Sequence, residues 1–176
     1  MVRAFIGVVI PDDIKRYVIG IQDQLKSLPI ETKFVEPENL HISLSFLGDV
    51  EDAEVEKIKF KLDEISKSYA AFEIIIGNII LIPNEKFTRV VALDVKNDVL
   101  EAIRKDVVKS IGGKSHSAHL TLARVKVITE REKFIENVNK IVQKEMRVKV
   151  DGICLVESVL RENGPVYKIL HKSHLK

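Results

Sequence analysis

The chain has 176 residues and a mass of 20.0 kDa, enough for one ordinary domain or two fused half-size lobes and too little for a multidomain machine. Apolar residues make up 45% and charged residues 31%, which excludes a disordered tract and provides for a packed core. Net charge is +2, yet residues 1–88 carry 10 basic and 15 acidic groups and residues 89–176 carry 18 and 11, an asymmetry that points to an anionic partner.

Ile and Val together supply 44 residues, a β-branched share that calls for extensive sheet. Residues 2–10 form an apolar run typical of a buried strand. Pro11-Asp12-Asp13 ends that run too early for a secretory signal and opens a helix with an acidic first turn. Ile14, Tyr17, Val18, Ile21 and Leu25 follow at helical spacing. Next come a strand at 33–35, a turn at Glu36-Pro37-Glu38-Asn39 and a strand at 40–47. In that strand His41, Ser43 and Ser45 alternate with Ile42, Leu44 and Phe46. Gly48-Asp49 breaks it, a helix spans about 51–66, and strands are expected near 72–76 and 78–82.

Pro83-Asn84-Glu85-Lys86 marks a boundary between halves at about 1–84 and 85–176 within a single domain. Beyond it the pattern predicts a strand at 89–95, a helix at 98–111 stopped by Gly112-Gly113, a strand at 119–125 and a helix at about 129–143. A strand at 148–160 and a last one at 166–171, after Asn163-Gly164-Pro165, complete the chain. No apolar run approaches the ~20 residues of a membrane span, so a cytoplasmic location is expected. The single Cys154 excludes an internal disulfide and a multi-Cys zinc site, and its surroundings predict a buried structural thiol.

Each half carries a strand of pattern His-x-(Ser/Thr)-Leu between two helices: His41-Ile42-Ser43-Leu44 and His119-Leu120-Thr121-Leu122. One such tetrapeptide is commonplace, but two at the same place in a repeated order of elements point to a site. Residues i and i+2 of a strand share a face, so each motif presents an imidazole beside a hydroxyl while its apolar residues face the core. Two opposed imidazoles suit general acid and base catalysis near neutral pH, and the hydroxyls suit the non-bridging oxygens of a phosphate. That chemistry calls for no metal and no cofactor.

The extended strings Phe5-Ile6-Gly7-Val8-Val9-Ile10-Pro11, Val35-Glu36-Pro37-Glu38-Asn39-Leu40-His41-Ile42-Ser43-Leu44-Ser45-Phe46-Leu47-Gly48 and His119-Leu120-Thr121-Leu122-Ala123-Arg124-Val125 resemble the two-histidine phosphoesterase superfamily. Within it they are similar to the RNA 2′,3′-cyclic phosphodiesterase branch, historically called 2′-5′ RNA ligases. The closing string Glu157-Ser158-Val159-Leu160-Arg161-Glu162-Asn163-Gly164-Pro165-Val166-Tyr167 is similar to the same branch, so the resemblance spans the chain. It implies a bilobed, pseudo-symmetric α+β fold with two antiparallel sheets lining a central groove and helices outside. It also implies hydrolysis of a terminal 2′,3′-cyclic phosphate on RNA, tRNA fragments included, to a 2′-phosphate by a monomeric enzyme. Carried over by position, His41 is the general acid, His119 the general base, and Ser43 and Thr121 grip the phosphoryl oxygens.

The chain departs from the branch before its second motif, with Ala118 in place of a proline and His116 in place of an aromatic residue. His116 is either a base-stacking group or an exposed loop histidine. Arg124 matches a motif arginine suited to phosphate or developing charge, yet strict alternation puts it on the face opposite His119; either the strand ends or bulges near Ala123, or Arg124 serves the fold. Phe34, Phe46, Phe87 and Tyr167 are candidates for core or groove lining, and Lys86, Arg89, Lys114 and Lys126 for backbone phosphates. His171 and His174 read as a solvated tail. Alternatives on the same residues are 2′-5′ ligation, a small cyclic nucleotide substrate, or an RNA-binding module without turnover.

Overall fold

The computed structural model describes residues 1–176. In chain order the elements are β1 (Val2–Val9), α1 (Asp12–Leu25), β2 (Ile30–Phe34), a 3-10 turn (Pro37–Asn39), β3 (His41–Val50), α2 (Asp52–Ser66) and β4 (Phe72–Ile82). There follow β5 (Val90–Lys96), α3 (Asp98–Ser110), β6 (His119–Ile128), α4 (Arg131–Lys140), β7 (Met146–Val150), β8 (Gly152–Arg161) and β9 (Gly164–His174). Local chemistry starts the helices. Asp12 and Asp13 place negative charge at the N-terminus of α1, and the Asn97 side chain accepts a hydrogen bond from the Leu100 N–H to cap α3.

All strand pairings are antiparallel, in the order β7-β4-β5-β6-β3-β1-β8-β9, with β2 added to β6. The two expected sheets are therefore a five-stranded and a four-stranded half of one continuous sheet, and they meet through a single pair of residues, Ile42 opposite Leu120. Each half of the sheet draws on both halves of the chain: β4 lies beside β5 and β7, whereas β8 and β9 complete the half holding β1 and β3. Ile42, Leu44, Leu120 and Leu122 are buried in one core with Val18, Ile21 and Leu25 of α1, Leu62 of α2 and Val107 of α3. The helices thus cover one face of the sheet and leave the other for the groove.

The β3 and β6 strands repeat each other closely, with the same succession of buried and exposed residues over all ten positions. Both contain a bulge at the same place. Ile6 pairs with Ser45 and Gly7 with Ser43, leaving Leu44 extra; Val91 pairs with Ala123 and Ala92 with Thr121, leaving Leu122 extra. A bulge switches which residues face the groove. Gly7 is required for the first one, since a Cβ there would lie 2.5 Å from the Ile42 carbonyl oxygen.

Several expected boundaries change. The 148–160 run is two strands, because Val148 and Val150 pair on β4 whereas residues beyond Asp151 pair with β1 and β9. The two strands expected between 72 and 82 are one, with a register shift between Ile76 and Ile79. Gly48 does not end β3; at φ 73° it stays in the ladder opposite Ala4. The fourth helix ends at Lys140. Cys154 is buried beside Phe5 and Val156, and that burial pushes its thiol pKa up.

Candidate active site

Both motif histidines are oriented by the carbonyl two residues before them. His41 Nδ1 donates to Asn39 O at 2.6 Å and His119 Nδ1 donates to Ser117 O at 2.8 Å. Each bond fixes the tautomer of the neutral imidazole and leaves Nε2 for other partners. His41 Nε2 lies 2.8 Å from Ser43 Oγ. The register through Ile42 and Leu120 sets His41 nominally opposite Thr121 and Ser43 opposite His119, so imidazoles and hydroxyls alternate around one point. All four side chains line a groove of about 710 Å³.

The surroundings of the two imidazoles differ. His41 is packed between Phe5 and Tyr167, with ring centroids at 4.5 and 5.1 Å, whereas the cross-strand neighbour of His119 is Asp94, which also faces the groove. Burial lowers the pKa of His41 below the ordinary imidazole value; the hydrogen bond to Asn39 opposes this, and the charges of Arg124 and His119 reinforce it. With Nδ1 donating to Asn39, a neutral His41 accepts from Ser43 at Nε2.

The bulge settles the position of Arg124. With Leu122 and Ala123 both buried in succession, the alternation is reset and Arg124 shares the groove face with His119 and Thr121. Its counterpart in the first motif is Phe46, five residues after His41, which also lines the groove. The pseudo-twofold site is thus cationic at one end and aromatic at the other.

A clamp between the motifs compensates for the single β3–β6 pair. Phe46 and Lys114 exchange backbone hydrogen bonds of 2.8 and 2.9 Å, and Ser45 Oγ donates to Gly112 O at 2.7 Å. Ser115 Oγ donates to Leu44 O at 2.8 Å and accepts from Arg104 Nη1 at 2.6 Å. The loop that delivers Ser117 and His119 is thereby fastened to the strand carrying His41 and Ser43.

Of the other candidates, Phe34, Phe46, Tyr167 and His116 line the groove, while Phe87 stands exposed on the β4–β5 loop beneath the Lys86 ammonium. Lys86, Arg89, Lys114 and Lys126 lie outside the groove lining. His171 is not a solvated tail residue: it is 2.7 Å from Asp63 of α2. Sequence patterning does not single out Asn39 or Lys33, which both line the groove. Asn39 is legible in principle from its place two residues before His41; Lys33 becomes visible only through its pairing with Arg124 across β2 and β6. No three His, Cys, Asp or Glu side chains converge as metal ligands, and no helix is long and apolar enough to cross a membrane.

A family model described as LigT like Phosphoesterase matches the chain twice, over residues 8–92 and 93–167. The RNA 2′,3′-cyclic phosphodiesterase of Methanothermobacter thermautotrophicus is 35% identical over 94% of this chain and 95% of its own. That of Methanocaldococcus jannaschii is 31% identical over 96% and 98%. Among solved structures, one from Thermus thermophilus superposes with a TM-score of 0.84 at 23% identity, covering 98% of this chain and 97% of the other. E. coli LigT complexed with 3′-AMP gives 0.77 at 18% identity, covering 99% and 98%. With both halves matched by one model and full-length relatives above 30% identity, the chain belongs to the LigT-like phosphoesterase family.

Proposed function

We propose that the groove hydrolyses the terminal 2′,3′-cyclic phosphate of RNA to a 2′-phosphate, with His119 as general base and His41 as general acid and no metal in the step. The observation that carries this is the pair of Nδ1-anchored histidines, each with a hydroxyl two residues on, around one groove. The activity for which the relatives are named, RNA 2′,3′-cyclic phosphodiesterase, agrees with it.

In this reading Ser43 and Thr121 hold the non-bridging oxygens. His119 Nε2 takes a proton from water as the water oxygen attacks phosphorus, the bond from phosphorus to O3′ breaks, and His41 Nε2 protonates O3′. The products are a 2′-phosphate and a 3′-hydroxyl, with His119 protonated and His41 neutral; exchange with solvent restores both. A phosphate held by Ser43 brings negative charge beside Nε2 and so favours the protonated His41 that the step requires, against the lowering that burial causes in the free protein.

Single-turnover cleavage of a short RNA ending in a 2′,3′-cyclic phosphate, with EDTA present, tests the proposal. His41→Ala and His119→Ala are each expected to slow the reaction by about 10²–10⁴-fold. Tight binding of that RNA without cleavage by the native chain overturns the hydrolase reading in favour of ligation or binding alone.

A further inference from the structure

The β2–β6 ladder sets Lys33 directly opposite Arg124, and both line the groove. Like charges directly opposite each other across a strand pair repel and destabilise it, and an anion between them would relieve that repulsion. Neither side chain has a carboxylate within ion-pair distance, nor any other side-chain hydrogen bond. Their neighbours on the same strands are treated differently: Lys126 of β6 is 3.7 Å from Glu31 of β2. Of the two acids that line the groove, Asp94 is engaged by Lys96 at 3.3 Å and Glu36 lies beyond ion-pair distance of either cation.

The Lys33 ammonium also reaches across the mouth of the groove. A Cβ at Gly164, in the β8–β9 turn, would stand 3.4 Å from Lys33 Nζ, and φ 124° there favours glycine. Two uncompensated cations therefore face each other on the groove lining. From Thr121 to Arg124 the strand advances at most about 10 Å, the reach of a ribose with its 5′ substituent.

We infer that Lys33 and Arg124 form a subsite for a second phosphate, the one on the 5′ oxygen of the nucleotide whose cyclic phosphate lies between the histidines. The inference rests on the cyclic phosphodiesterase reading and sharpens its substrate class. The preferred substrate carries a 5′ phosphate or a 5′-linked chain, and a bare nucleoside cyclic phosphate leaves the two cations facing each other. Arg124 suits this role by its forked donors, and Lys33 supplies a mobile point charge from the opposite strand.

Adenosine 2′,3′-cyclic phosphate and its 5′-phosphorylated form are the substrates for the kinetic test. Adenosine 2′-phosphate and adenosine 2′,5′-bisphosphate serve as binding probes by calorimetry. In the native chain the 5′ phosphate is expected to raise kcat/KM about tenfold and to tighten binding by a similar factor. Lys33→Ala and Lys33→Gln are expected to cut both gains to within about twofold, whereas Lys126→Ala, which removes the same charge outside the groove, keeps them. Equal kcat/KM for the two substrates in the native chain, or a gain that survives loss of Lys33, overturns the inference. If neither substrate is turned over, the hydrolase reading fails by itself, and the binding ratio of the two probes still decides whether the second-phosphate subsite exists.

Discussion

The Asn39 side-chain amide donates a 2.8 Å hydrogen bond to the Pro165 carbonyl, and so ties the turn that enters His41 to the hairpin strand that carries Tyr167. Asn39 is 5% exposed, its own carbonyl accepts from His41 Nδ1, and its Oδ1 has no partner. One residue thus holds the imidazole from behind and sets the aromatic ring against its edge. Asn39→Ala strands a partly buried carbonyl and is expected to cost about 1–2 kcal/mol of stability. It is also expected to lower kcat about tenfold while KM stays within about twofold: the backbone carbonyl that accepts from His41 remains, but the turn that holds it is no longer tied to Pro165 and the strand of Tyr167, so the imidazole is held less firmly. Denaturant melts and steady-state kinetics on one preparation separate the two effects. A stability loss with unchanged kcat would confine Asn39 to the fold.

Acidification acts on His41 with a definite sign. Burial first, then the charges of Arg124 and His119, hold its folded pKa below the unfolded value near 6.5, against the opposing bond to Asn39. As pH falls, the unfolded chain takes up this proton before the folded chain does. The contribution to stability is therefore present above about pH 6.5 and lost as pH drops through the folded value. His41→Gln removes that titration. Its Tm relative to the native protein is expected to improve between about pH 7.5 and about pH 5. A constant difference across that window would show that the buried imidazole is not what titrates.

The histidine motifs were legible because their signal is local: a period of two in the strand, repeated at equivalent places in two halves. The same locality explains what was missed. The local pattern leaves the Arg124 face open, with a bulge near Ala123 as one reading, and only the pairing of β6 with β5 places that bulge, at Leu122. The β7–β8 break carries a local signal, the Asp151-Gly152 turn dipeptide, but the apolar residues on both sides of it read as one strand. The Lys33 role follows from a register across nearly a hundred residues, about which its neighbours in sequence say nothing.

Gly113 is the tightest point of the clamp that joins the two motifs. Its φ is 96°, and a Cβ there would collide with Ser45 Oγ and lie 2.7 Å from the Phe46 carbonyl oxygen. Gly113→Ala is therefore expected to destabilise by more than about 1 kcal/mol and to displace the loop that orients His119. Gly20→Ala supplies the contrast. Gly20 lies within α1 with open space where its Cβ would stand, and alanine there is expected to stabilise by about 0.5–1 kcal/mol. Urea melts of the two variants should shift in opposite directions. If they move together, local backbone strain is not what distinguishes the sites.

Asp63 of α2 gathers the C-terminal strand. Its Oδ1 accepts from Ser173 Oγ at 2.6 Å and lies 2.7 Å from His171 Nε2. Burial alone would raise its pKa, but the bonds from Ser173 and His171, together with the charges of His171 and Lys67, hold it below the usual carboxylate range. A depressed folded pKa contributes stability above the unfolded value near 3.9 and loses it as pH falls through the folded one. The side chain is 41% exposed, so solvent screening limits the contribution to about 1 kcal/mol or less. Asp63→Asn is expected to be less stable than the native chain near pH 7, with the gap closing towards about pH 3 as the native carboxyl is protonated. Thermal melts across that range read the gap directly. A gap that stays constant to low pH would assign the role of Asp63 to neutral hydrogen bonding between α2 and β9 rather than to its charge.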